Sequence, residues 1–114
     1  MTAGDVHLVI GAQGNVGGAL VERLRGRFVI GAYERRAFDG GYRISLAEVA
    51  DDPAPARELM ARTRPSVVYI TAGMTHVDAC ESQLATAMKI NRDGAAALAR
   101  AARDAGARVV YYST

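Results

Sequence analysis

The chain has 114 residues, half of them hydrophobic and 23% charged, a composition that fits one folded domain around one core and excludes a disordered tail. Fourteen Lys plus Arg against twelve Asp plus Glu leave a formal charge of +2, and thirteen of the cations are arginines scattered along the chain, so no nucleic-acid footprint is indicated. Cys80 is the only cysteine, which excludes an intrachain disulfide and a cysteine-based metal centre and fits a reducing, cytoplasmic setting.

No metal site is expected. Asp5 and His7 interrupt the N-terminal apolar stretch that a secretory leader needs, and no apolar run is long enough to span a bilayer, so neither export nor membrane insertion is expected.

Short β-rich runs alternate with helical stretches, the pattern of a parallel sheet flanked by helices. Val6 to Ile10 reads as a strand buried on both faces, and it runs straight into Gly11-Ala12-Gln13-Gly14-Asn15-Val16-Gly17-Gly18. Val16, Leu20, Val21 and Leu24 then recur at helical spacing, and Gly26 stands where a left-handed residue ends a helix. Phe28 to Tyr33 is the second strand, Tyr42 to Ile44 a short third. Ser45 with Glu48 can form a capping box, and Asp52-Pro53 opens a helix running from about Pro53 to Arg64.

Pro65 resets the backbone, and Val67 to Ile70, β-branched and aromatic, reads as a central strand ending at Thr71-Ala72-Gly73. From Glu81 to Ala105 a long helix carries Met88, Ile90, Leu98 and Ala102 on its apolar side, with Gly94 allowing close helix-to-sheet contact. Gly106 ends it, and Arg108 to Ser113 supplies a fifth strand. The expected fold is α/β: a Rossmann-like doubly wound parallel sheet of about five strands in the order 3-2-1-4-5.

Glycines 11, 14 and 17 fall at the junction of a buried strand and an amphipathic helix, the context in which a glycine pattern reads as a dinucleotide cradle rather than an ordinary turn. Gly11 permits the tight turn, Gly14 leaves room between backbone and pyrophosphate, and Gly17 lets the helix approach the sheet; Gln13, Asn15 and Val16 complete the loop. The anion rests on the helix N-terminus, where unpaired amides and the macrodipole favour negative charge. Selection between cofactors is expected just past the second strand, at Glu34-Arg35-Arg36. Arg35 and Arg36 can present forked donors to a 2′-phosphate, which favours NADP(H), while Glu34 at the ribose keeps NAD(H) open and two solvated arginines are the alternative.

The Gly-x-x-Gly-x-x-Gly spacing, with Thr75-His76-Val77-Asp78-Ala79-Cys80-Glu81, Asn91-Arg92-Asp93-Gly94 and the closing Tyr111-Tyr112-Ser113-Thr114, resembles the extended short-chain dehydrogenase/reductases. Within them it is similar to the dTDP-4-dehydrorhamnose reductases and to the related regulatory β subunit of methionine adenosyltransferase. The resemblance implies that Ser45 and Leu46 lie beside the adenine, that Thr71, Ala72 and Gly73 skirt the ribose and nicotinamide, and that Asn91 ties backbone together or touches cofactor. It implies that Thr114 hydrogen-bonds a substrate carbonyl.

The Tyr-x-x-x-Lys pair that protonates substrate in these enzymes is missing, since the only lysine is Lys89 and Ala85 stands four residues before it. The chain is therefore expected to bind dinucleotide without turning over, as the N-terminal part of an NAD(P)-binding domain. A nucleotide-sugar partner is expected only with the further strands and sugar-binding domain that the resemblance implies; homo-oligomerisation is left open. His7 reads as a packed histidine and Cys80 as a passive thiol, His76 is divided between a substrate-facing loop and solvent, and Asp78 and Glu81 suit helix capping as well as any catalytic duty.

Overall fold

Val6–Ile10 (β1) is buried along most of its length because it lies in the middle of a parallel sheet with helices on both faces. The computed structural model describes residues 4–33, 37, 40–71 and 81–112, with only the backbone at 81–84 and 87. In chain order β1 is followed by α1 (Asn15–Arg23), β2 (Phe28–Tyr33), β3 (Tyr42–Arg43), α2 (Leu46–Asp51), α3 (Ala54–Thr63), β4 (Val67–Ile70), α4 (Glu81–Asp104) and β5 (Arg108–Tyr111). The five strands are all parallel and stand in the order β3-β2-β1-β4-β5, as the alternation of strand and helix predicts.

Register divides the side chains into two layers. Leu8 pairs with Val68 and Ile10 with Ile70, and these four pack with Leu98, Ala101 and Ala102 of α4 and Val49 and Leu59 of α2 and α3. His7, Val9, Val67 and Tyr69 alternate with them and face the α1 layer, where Val9, Val67 and Tyr69 meet Leu20, Val21 and Leu24. The chain therefore leaves β1 on one face of the sheet and β4 on the other, and the ends of these adjacent strands form the switch point of a doubly wound sheet.

Local chemistry sets the helix ends. Asp52 accepts the Ala54 amide at 3.0 Å to start α3, and Arg64, in the left-handed region at φ 47, ends it just before Pro65. α4 closes in a Schellman motif: the Gly106 amide donates to Arg103, that of Ala107 to Ala102, and Gly106 carries φ 88. Ser45 caps α2, its hydroxyl accepting the Glu48 amide at 3.4 Å, and the Glu48 carboxylate pairs with Arg43 at 3.0 Å.

Three expectations are corrected. α1 ends at Arg23, ahead of Gly26, because Arg25 and Arg27 donate their amides to Glu22 and Leu24 in a tighter turn that contains Gly26 at φ 89. Gly94 makes its close approach to α2 rather than to the sheet, since a Cβ there would lie 2.1 Å from the Leu46 carbonyl oxygen. Met88 and Ile90 are 57% and 38% exposed, while Leu98 and Ala102 are buried. A 24-residue helix is about 36 Å long and the four-residue strands β4 and β5 that it packs on about 13 Å, so the first half of α4 overhangs the sheet.

Candidate functional site

The loop joining β1 to α1 sits at the C-terminal edge of the sheet, beside the end of β4. Gly11 takes φ 84, a left-handed conformation that favours glycine, and the Gly11 and Ala12 amides both donate to the Ala32 carbonyl at 3.0 and 3.1 Å, anchoring the loop on β2. The Gly14 amide donates to the Gly11 carbonyl at 3.0 Å, and Gly18 returns to Gly14 at 2.7 Å as α1 begins. Gly14 is the N-cap residue and so offers no side chain to cap α1, no described side chain caps it either, and its first turn holds no acid. An uncapped, acid-free helix start presents amide donors and the positive end of the macrodipole to whatever approaches.

The glycines divide the work. A Cβ at Gly17 would lie 2.0 Å from the Gly11 carbonyl oxygen and 2.8 Å from Thr71 Oγ1, so the protein's own packing requires glycine there. Among the described residues a Cβ at Gly14 would meet only the Gly11 carbonyl oxygen, at an ordinary 3.4 Å, so they leave that side open. Gln13, Gly14 and Asn15 are exposed, Val16 is half-buried and Gly17 is buried. A pyrophosphate fits this arrangement: among the described residues there is open space beside Gly14, no partner for the first amides of α1, and no carboxylate in its first turn.

The other predicted residues fall in several places. Thr71 follows β4 and is buried, its hydroxyl donating to the Ile10 carbonyl at 2.6 Å with the Gly11 carbonyl 3.3 Å away. Ser45 and Leu46 are 6% and 2% exposed at the start of α2, the first engaged as a cap and the second in the core. Asn91 is half-buried on α4, and its side chain has no hydrogen bond among the described residues. Arg35, Arg36, Ala72, Gly73 and Thr114 lie outside the described residues, as do Glu34, His76, Asp78 and Cys80; the side chain of Glu81 does too.

Away from this edge, His7 is wholly buried, stacks on Tyr69 with ring centroids 5.9 Å apart and meets its hydroxyl through Nδ1 at 3.0 Å. Burial, then the Arg27 charge, hold its pKa below the ordinary imidazole value, and Nε2 has no hydrogen-bond partner among the described residues. Burial first, then Tyr112, push the Tyr69 phenol upward. The pair suits packing in its neutral forms. An open groove of about 560 Å³ between α3 and α4, lined by Arg57, Arg64 and Asp104 over Met60 and Ala101, lies near the opposite edge of the sheet. No group of three His, Cys, Asp or Glu among the described residues could hold a metal ion, and none of their helices is long and apolar enough to cross a membrane.

Sequence reasoning missed two contacts of the site region, Thr71 with the β1 carbonyls and Gly94 with Leu46. The first had a signal in the hydroxyl that follows the central strand next to the glycine-loop strand. The second had only the Ser45–Glu48 spacing, because it depends on a six-residue helix that periodicity cannot register.

Parallel order, switch point and glycine loop define the class: a Rossmann-like fold of the extended short-chain dehydrogenase/reductase type. Residues 6–114 match the family described as the RmlD substrate binding domain, and the chain belongs to it. It is 34% identical over 107 residues to dTDP-4-dehydrorhamnose reductase of Burkholderia thailandensis, covering 94% of this chain and 33% of that protein. Among solved structures it resembles a hypothetical dTDP-4-dehydrorhamnose reductase from Sulfolobus tokodaii, with a TM-score of 0.74 and 30% identity over 92% of this chain and 37% of that one. It also resembles a short-chain dehydrogenase/reductase superfamily protein from Agrobacterium tumefaciens with bound NAD, with a TM-score of 0.72 and 28% identity over 96% of this chain and 32% of that one. The chain thus spans about a third of the length of these relatives.

Proposed function

We propose that residues 1–114 are the dinucleotide-binding part of a sugar-nucleotide reductase, taking NADP(H) in preference to NAD(H). The observation that carries the reading is the uncapped, acid-free start of α1 behind Gly11, with the space beside Gly14 left open by the described residues. Gly11, Gln13, Gly14, Asn15 and Val16 would hold the pyrophosphate, Gly17 would keep α1 close enough to do so, and Arg35 and Arg36 would pair with the 2′-phosphate. The NAD of the Agrobacterium tumefaciens relative supports a dinucleotide as the ligand class.

A reduced nicotinamide, when bound, supplies the hydride that a 4-keto sugar nucleotide takes up. Thr114 would orient that keto oxygen, and Ala72, Gly73 and Asn91 would border the nicotinamide side. Because the named relatives are reductases, the catalytic reading is favoured over a purely regulatory one. With no Tyr-x-x-x-Lys pair among the 114 residues, the chain should bind cofactor without reducing substrate. Calorimetric titration tests this: NADPH should bind more tightly than NADH, and Arg35→Ala with Arg36→Ala should equalise the two. Failure of both dinucleotides to bind refutes the cradle; equal affinities in the unaltered chain refute the arginine assignment.

A further inference from the structure

Thr71 stands at the end of β4, one strand away from the glycine loop, yet its hydroxyl belongs to that loop. It donates at 2.6 Å to the Ile10 carbonyl, the last of β1, and lies 3.3 Å from the Gly11 carbonyl, the first of the turn. The Gly11 carbonyl is held from its other side by the Gly14 amide at 3.0 Å, and it lies so close to α1 that only glycine fits at 17. Thr71 Oγ1, the Gly11 carbonyl and Gly17 therefore form one packed contact, with a Cβ at 17 meeting both of the others.

We propose that Thr71 is a positioning residue of the dinucleotide cradle: its hydroxyl pins the Ile10 and Gly11 carbonyls inward and so keeps the first-turn amides of α1 aimed outward at the ligand. This rests on the functional reading above and names the group that holds its geometry. The hydroxyl is not needed merely to satisfy buried carbonyls. The Ile10 carbonyl also accepts the Thr71 amide at 3.0 Å, and the Gly11 carbonyl the Gly14 amide, so an isosteric Val at 71 orphans neither. What Val removes is the hydrogen bond that fixes the direction of the turn, while Ser retains it.

The test uses the 114-residue chain with Thr71→Val and Thr71→Ser, read by amide hydrogen exchange at Ala12 and Gly14, calorimetric NADPH affinity and thermal unfolding. Val should speed exchange at Gly14 and weaken NADPH binding about three- to tenfold, the factor that corresponds to one hydrogen bond, with little change in unfolding temperature. Ser should restore exchange and affinity together. Unchanged exchange and affinity in the Val variant would overturn the proposal, as would losses in both variants that merely track their unfolding temperatures. If the unaltered chain binds no NADPH, the functional reading fails and the cradle role with it; unaltered binding with an indifferent Val variant sinks Thr71 alone.

Discussion

Substituting the two glycines of the turn separates what the fold demands from what a ligand demands. At Gly17 an added methyl would sit 2.0 Å from the Gly11 carbonyl oxygen, 2.8 Å from its carbon and 2.8 Å from Thr71 Oγ1. Two of these three atoms are backbone, so α1 must move off the sheet or the turn must open. Forcing extra volume into a packed site costs about 1–3 kcal/mol, and the roughly 1 kcal/mol that Ala gains over Gly inside a helix offsets part of it.

With backbone at 2.0 Å the cost falls at the upper end of that range, so Gly17→Ala should lower stability by about 2 kcal/mol, which for a chain of this size lowers the unfolding temperature by roughly 6–12 °C. At Gly14 the methyl meets one atom at 3.4 Å, and φ is −76, open to any residue. Gly14→Ala should stay within about 1 kcal/mol of the parent, the usual spread for an N-cap change, and Gly14→Val should fold yet lose dinucleotide binding. Thermal unfolding by circular dichroism with calorimetric titration of each variant measures both effects. A Gly17→Ala chain as stable as the parent, or a Gly14→Val chain that still binds NADPH, would refute the division.

Gly94→Ala should also destabilise, by about 1–3 kcal/mol before its helix gain, because the added methyl would lie 2.1 Å from the Leu46 carbonyl oxygen; chemical denaturation should show a lower midpoint, and an unchanged one would mean that α2 and α4 separate freely. His7 gives a pH signature. Its native pKa is depressed by burial and the Arg27 charge, so below about pH 6.5 the unfolded chain takes up the proton first. The stability tied to the neutral ring is fully present above that value and falls as pH drops toward the native pKa. His7→Phe, which keeps an aromatic ring beside Tyr69, should flatten this slope in denaturation curves taken between about pH 5 and 7; an unaltered slope would assign it to other groups.

Much of the sheet was legible because burial on both faces writes a strand as a continuous apolar run. Val6–Ile10 and Val67–Ile70 are such runs, and the helices between them fix parallel direction and order. Short elements were harder. β3 is two residues long, held by pairing with Ala32 and Tyr33, and α2 announces itself only through the Ser45–Glu48 pair. The exposure of Met88 and Ile90 was illegible for a different reason: helical periodicity gives the direction a side chain takes around the axis, while the length of the sheet beneath decides whether anything lies there to bury it.

The glycine loop itself illustrates what a motif does and does not encode. Spacing alone marks Gly11, Gly14 and Gly17 as one unit, yet three different physical demands produce it. Gly11 answers to a backbone dihedral, Gly17 to a carbonyl pressed against the helix, and Gly14 to neither, since its φ is ordinary and its only close neighbour among the described residues stands at contact distance. A glycine that the fold does not require is the one for which the remaining explanation lies outside the chain, in a ligand whose approach a side chain would obstruct. Under the proposed function a pyrophosphate would therefore meet the chain at Gly14 and the uncapped amides behind it, whereas Gly17 and Thr71 bear on how rigidly the protein holds that surface in place.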